Sequence, residues 1–147
     1  MPYTDSLNEV IEETISVLLT GDISEIGIHQ EEDVYYGVET RYPRFPAIAV
    51  EGQMEQEPTG TQHQMTNKFR LNIFYYEGVI GSMETKRQNR DKHAEAVKAR
   101  LHANRSLNGK VAFGHITSME PGISVVSASM VSSSRMIWEG ISKTEMR

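Results

Sequence analysis

The eight residues from Phe69 to Tyr76 constrain this chain most. Phe69, Leu71, Ile73 and Tyr75 alternate with Arg70, Asn72, Phe74 and Tyr76, the two-residue period of a strand with one mostly buried face. Such a strand belongs to a sheet whose buried face is packed by other elements, and the chain supplies two helices for that purpose. Residues 5–20 place Leu7, Val10, Ile11, Ile15, Leu18 and Leu19 mostly three and four apart, the spacing of an amphipathic helix. Ser6 and Glu9 have the spacing of a capping box, early glutamates suit the positive end of the helix dipole, and Gly21 can take the left-handed conformation that stops the helix.

The second helix is predicted over residues 83–103, with an apolar stripe of Ala94, Val97 and Leu101 confined to its carboxyl half. Its amino half carries no large apolar residue, so it is expected to project past the core or to be covered by a partner. A short strand is expected over residues 34–38, and a second over residues 47–51 after Pro43 and Pro46. Residues 52–67 read as the long polar tip of an antiparallel hairpin, with Pro58-Thr59-Gly60-Thr61 as its turn. Three closing strands are expected at residues 111–118, 123–130 and 135–141, separated by Pro121-Gly122 and by the serines at 132, 133 and 134. Asn108-Gly109 marks a turn before them. The fold class is α+β: one mainly antiparallel sheet, two principal helices packed on it, and a protruding polar hairpin.

The 147 residues are read as one domain, enough to bury a single core without staples. There is no cysteine, which removes disulfides, thiolate metal sites and cysteine nucleophiles. No leader resembles a signal peptide, and no apolar run approaches the roughly 20 residues that span a bilayer, so a cytosolic, membrane-free protein is expected. Net charge is −5 and unevenly placed. Residues 1–67 hold 13 acids and 2 bases, whereas residues 68–147 hold 13 bases and 7 acids. The overall acidity argues against a general nucleic-acid binder, whose affinity comes largely from neutralising phosphates.

No catalytic constellation stands out. The histidines at 29, 63, 93, 102 and 115 show no close ligand spacing, and His93 and His102 should point to opposite faces of their helix, so they read as polar surface. Glu31-Glu32-Asp33 lacks the alternating acids and turn glycine of a calcium loop and reads as a solvated acidic face. The serines lack a nucleophile elbow, and Glu77-Gly78-Val79-Ile80-Gly81 lacks the pattern of a phosphate loop. No enzyme activity, metal or cofactor is expected. The basic residues Lys86, Arg87, Arg90, Lys92, Lys98, Arg100 and Arg105 are interrupted by Glu84, Asp91 and Glu95 at pairing distances, the mark of a salt-bridged surface or protein interface. Trp138 reads as a core or interface anchor.

This layout resembles the tail-terminator, or tail-completion, proteins of long-tailed bacteriophages. The resemblance rests on the short first helix, on Tyr42-Pro43-Arg44-Phe45-Pro46-Ala47-Ile48-Ala49-Val50-Glu51, on the polar hairpin before Phe69, on the charged helix, and on the closing run through Pro121-Gly122 to Arg135-Met136-Ile137-Trp138-Glu139-Gly140. It implies a homo-hexameric ring in the virion tail, assembled in the host cytoplasm. Such a ring ends polymerisation of the tail-tube protein and joins a head-completion or neck protein, while DNA passes its lumen without specific binding. Glu51, Glu55, Glu57, Arg87, Arg90, Lys92, Arg135 and Trp138 are the candidate contacts with neighbouring subunits or partners. Glu51, Glu55 and Glu57 would repel DNA if they faced the lumen. The alternatives are a head-completion or neck protein of the same virion, and a nucleic-acid-binding module using the basic helix over residues 85–105.

Overall fold

The computed structural model describes residues 3–59, 63–79, 83–126 and 128–145. Helix α1 (Leu7–Leu18) forms where the spacing predicts it. The Ser6 hydroxyl caps it, accepting the Glu9 N–H at 3.3 Å. The reciprocal half of the cap runs through Thr4, which accepts the Ser6 N–H at 3.1 Å and donates its hydroxyl to the Glu9 carboxylate. A 3-10 turn (Ile23–Ile26) follows, after Gly21 at φ +77°.

A second 3-10 turn (Glu31–Asp33) leads into strand β1 (Val34–Tyr36). Then come β2 (Ala47–Thr59), β3 (Gln64–Val79), helix α2 (Met83–His102), β4 (Phe113–Val126) and β5 (Ser129–Glu145). The strands lie in the order β1-β2-β3-β5-β4; β1 and β2 are parallel and every other pair is antiparallel. The fold is α+β. None of the described helices is long and apolar enough to cross a membrane.

Two expectations about the strands change. The polar hairpin over residues 52–67 forms, but Pro58 and Thr59, expected in its turn, are paired strand: β2 and β3 pair without interruption from Ala47↔Tyr76 to Thr59↔Gln64, and residues 60–62 lie outside the described residues. β5 supports the outer part of this hairpin from the other side, down to Gln64↔Glu145. Buried Asn67 there donates to Ser142 and Thr144 at 3.0 Å, so hydrogen bonds replace apolar packing. The three closing strands are two. β4 continues through Pro121-Gly122, and β5 continues through the serines. β4 is an edge strand, where a residue lacking an N–H removes no bond on the outer side. Ser132, Ser133 and Ser134 are buried between β3 and β4, with the Ser133 and Ser124 hydroxyls 2.7 Å apart. The chain reverses between Val126 and Ser129 instead, with Ala128 at φ +59°.

Both helices lie on one face of the sheet. Val10, Val17 and Leu18 of α1 and Ala94, Val97 and Leu101 of α2 share a core with Ile48, Val50, Phe69, Leu71, Ile73, Tyr75, Met136 and Trp138. On the other face, Tyr42 and Phe45 from the loop before β2 pack in a smaller cluster with Ala47, Ala49, Tyr76, Val126 and Val131. That loop is held from below. Asp33, expected on a solvated acidic face, is fully buried because Arg44 reaches it, with Nε 2.9 Å from its carboxylate; only Glu31 and Glu32 are exposed.

Candidate functional site

Strand parity builds the most distinctive surface. With Ile48, Val50 and Met54 turned to the helices, Glu51, Gln53, Glu55 and Glu57 of β2 fall on the opposite face. Lys68, Arg70 and Asn72 of β3, Arg135, Glu139, Ile141 and Lys143 of β5, and Phe113 and His115 of β4 join them there. The pairing lines these residues up in rows: Gln53, Arg70, Glu139 and His115 form one, and Glu55, Lys68, Ile141 and Phe113 the next. A shallow groove of about 380 Å³ crosses both rows. A second hollow, lined by Glu51, Gln53, Arg70, Asn72 and Arg135, adjoins it.

The groove has an apolar part and a charged rim. Phe113 is 46% exposed and Ile141 41% exposed, both large for residues of their type. Around them lie Glu55, Lys68, Arg70, His115 and Glu139. The Arg105 guanidinium sits over the Phe113 ring at 5.3 Å. Lys68 pairs with Glu57 at 2.8 Å, and that bond holds the lysine above its ordinary range. Arg135 donates to Asn72 at 3.3 Å. Among the described residues, no three His, Asp or Glu side chains gather in a way that could hold a metal ion.

The eight residues singled out in the sequence separate into three groups. Glu51, Glu55, Glu57 and Arg135 meet on the open sheet face. Arg87 and Lys92 are exposed on α2, in the other layer. Arg90 and Trp138 point inward. Arg90, 9% exposed, bonds Asp91 at 3.0 Å and reaches the Gly122 carbonyl and the Ser132 hydroxyl at 3.4 Å, pinning the amino half of α2 to β4 and β5. That half was expected to project or await a partner; its long cation instead finds acceptors on the chain's own sheet. Trp138 is fully buried in the main core.

Two polar clusters escaped sequence reasoning. On the core side of β3, Tyr75 donates to Glu77, and His93 Nδ1 lies 2.8 Å from the Tyr75 oxygen and 3.2 Å from the Glu77 carboxylate. His93, read as polar surface, is thus mostly enclosed, with only 18% of its side chain exposed. Burial pushes the Tyr75 hydroxyl far above its ordinary range, and the Glu77 bond adds to this. A side chain at Gly27 would collide with both Tyr75 and His93, so the backbone there packs directly against the trio. Its signal in the sequence was the i, i+2 placement of Tyr75 and Glu77 on the buried face.

The second cluster lies along the outer edge of β4. His102 Nε2 accepts the Ile116 N–H at 2.9 Å, with the His115 ring 6.5 Å away. Burial lowers the His102 pKa below the ordinary 6.5, and the positive charges of Arg105 and Lys98 lower it further, followed by His115. A histidine held neutral in the fold supports stability above its unfolded pKa, and that support is lost as pH falls through 6.5 toward the folded value. Unfolding in urea should therefore show a lower midpoint at pH 5 than at pH 7. His102→Gln, which keeps an acceptor but no titrating group, should flatten part of that difference; an unchanged slope would refute the role given to His102.

No protein-family model matches this chain, and a search of curated proteins finds no match.

Proposed function

We propose that this chain is a structural assembly protein that forms a ring at the end of a phage tail tube, stops the tube's growth and joins it to the head or neck. The observation that carries this reading is the open sheet face, with exposed Phe113 and Ile141 set among Glu55, Lys68, Arg70 and Glu139. An apolar centre within a polar rim is the usual anatomy of a protein contact. The groove is open and shallow, a shape suited to a folded partner's surface more than to an enclosed small molecule. Glu51, Glu55 and Glu57 share the face with Lys68, Arg70, Arg135 and Lys143, and this charge mixture fits a protein partner better than an acidic wall facing DNA.

The test is addition of the purified protein to tail-tube subunits of the same virion as they polymerise. Electron microscopy should show shortened tubes with a ring at one end. Tubes of unchanged length without a terminal ring would overturn the proposal. A ring on the portal vertex of capsids, with none on tubes, would favour a head-completion role.

A further inference from the structure

Along its two outer edges the sheet lacks a strand neighbour over much of its length among the described residues, although His102 already accepts the Ile116 N–H on the β4 side. β1 pairs with β2 only from Ile48 to Val50, so beyond that point β2 has no outer neighbour among the described residues. β4 has no strand on its outer side among the described residues. Unpaired strand edges are natural sites for joining another chain. Glu51 and Glu55 stand on β2 and form no ion pair among the described residues, while Glu57 is held by Lys68. The nearest bases are Lys68 and Arg70 on β3, of which Lys68 is engaged by Glu57, while Arg44 is engaged by Glu32 and Asp33. At the opposite edge Lys98 and Arg105 crowd His102 and, among the described residues, meet no carboxylate. Glu55 stands across from Lys68, which Glu57 already holds, so each edge keeps two charges that form no ion pair of their own among the described residues.

One charge of each pair also stands at one level. Glu55, Lys68, Ile141 and Phe113 occupy a single row across the sheet, and Arg105 lies on Phe113. Three successive antiparallel pairings make β4 run opposite to β2. A second copy in the same orientation therefore brings its β4 antiparallel to this β2, with Arg105 level with Glu55. We propose that the β2 edge of one copy, through Glu51 and Glu55, docks on the Lys98–Arg105 edge of β4 in the next copy. The partner is a second copy of this chain, and the inference rests on the ring reading above. Because the two patches differ, the contact is head-to-tail and closes into a ring where the rotation between copies permits.

Charge reversal tests this with its own internal check. Native mass spectrometry and sedimentation at physiological salt should show the wild type as a multimer that loosens as salt is raised, since exposed ion pairs are screened. The E51K/E55K variant has two positive edges and the K98E/R105E variant two negative ones. Each alone should sediment as a folded monomer, with circular dichroism confirming the fold. An equimolar mixture should reassemble, because each reversed edge then meets its complement. If a reversal prevents folding, the neutral E51Q/E55Q and K98Q/R105Q pairs replace it, with at least a tenfold weaker association expected of each. A variant that remains fully assembled, or a mixture that remains monomeric, would overturn the edge contact and leave the ring reading standing. A wild type that stays monomeric at every concentration would remove the ring reading, and the edge contact with it. Wild-type monomer that binds DNA, with binding abolished in K98E/R105E, would assign the cationic edge to a phosphate backbone instead.

Discussion

Replacing Trp138 with alanine is expected to lower the free energy of unfolding by about 3–5 kcal/mol, the largest single effect in this fold. The side chain is fully buried on β5, beside Leu71 of β3 and Ile116 of β4 in the same row. The chain makes room for it with two glycines. Gly114 and Gly140 face each other across the β4–β5 pair, and a methyl group at either would run into the indole ring. Removing the ring leaves a void bordered by backbone that strand pairing holds in place, so collapse recovers little of the lost contact. For a domain with a total stability of about 5–15 kcal/mol, such a loss takes a large share. Gly114→Ala approaches the same site from the other direction and should destabilise by overpacking, about 1–3 kcal/mol. Urea unfolding followed by far-ultraviolet circular dichroism suits both variants, since the chain's one tryptophan is lost in the first. A change below about 1 kcal/mol for Trp138→Ala would show that the core does not depend on this ring as described.

The elements most legible in the sequence were those whose own residues decide their environment. α1 could be read because its apolar spacing and its Ser6 cap are local, and β3 because Phe69, Leu71, Ile73 and Tyr75 are all large and all buried. Local punctuation misled where a neighbouring strand overrides it. Pro121-Gly122 looks like a turn, but the edge position of β4 tolerates both residues; three serines look like a loop, but they fit a crowded site between two strands. The polar hairpin was legible as a hairpin, but its local sequence places the turn too early, since Gln56, Asn67 and Ser142 satisfy one another and extend the pairing in a way that composition does not reveal.

The candidate site divides along the same line. Parity within β2 already puts Glu51, Glu55 and Glu57 on one side. That Arg135 joins them, while Lys98 and Arg105 sit at the far edge, follows only from the strand order β1-β2-β3-β5-β4. The uneven charge of the two halves of the sequence is largely mixed by the fold, which sets Lys68, Arg70 and Arg135 beside the glutamates of β2. Arg90 and Arg87 look alike in sequence, yet one is anchored to Ser132 and the other is exposed, a distinction made by which side of α2 meets the sheet.

His93→Ala should cost about 2–4 kcal/mol, because it leaves the Glu77 carboxylate buried with one fewer donor. The hydrogen bonds assign the proton: Tyr75 has a single hydroxyl hydrogen and gives it to Glu77, so His93 Nδ1 carries the hydrogen directed at the Tyr75 oxygen and at Glu77. Three elements meet at this point, namely β3 through Tyr75 and Glu77, α2 through His93, and the end of the 3-10 turn through Gly27 at φ +82°. Losing the imidazole therefore removes a donor from a buried anion and also loosens the helix from the strand beneath it. His93→Asn separates these effects, since its amide nitrogen can occupy nearly the position of Nδ1 while filling less space. If the hydrogen bond dominates, urea unfolding should place the Asn variant closer to the wild type than to the Ala variant. Equal losses in the two variants would mean that the ring acts by packing alone, and Tyr75→Phe, which deprives Glu77 of its other donor, would then be expected to combine additively with His93→Ala in a double-mutant cycle.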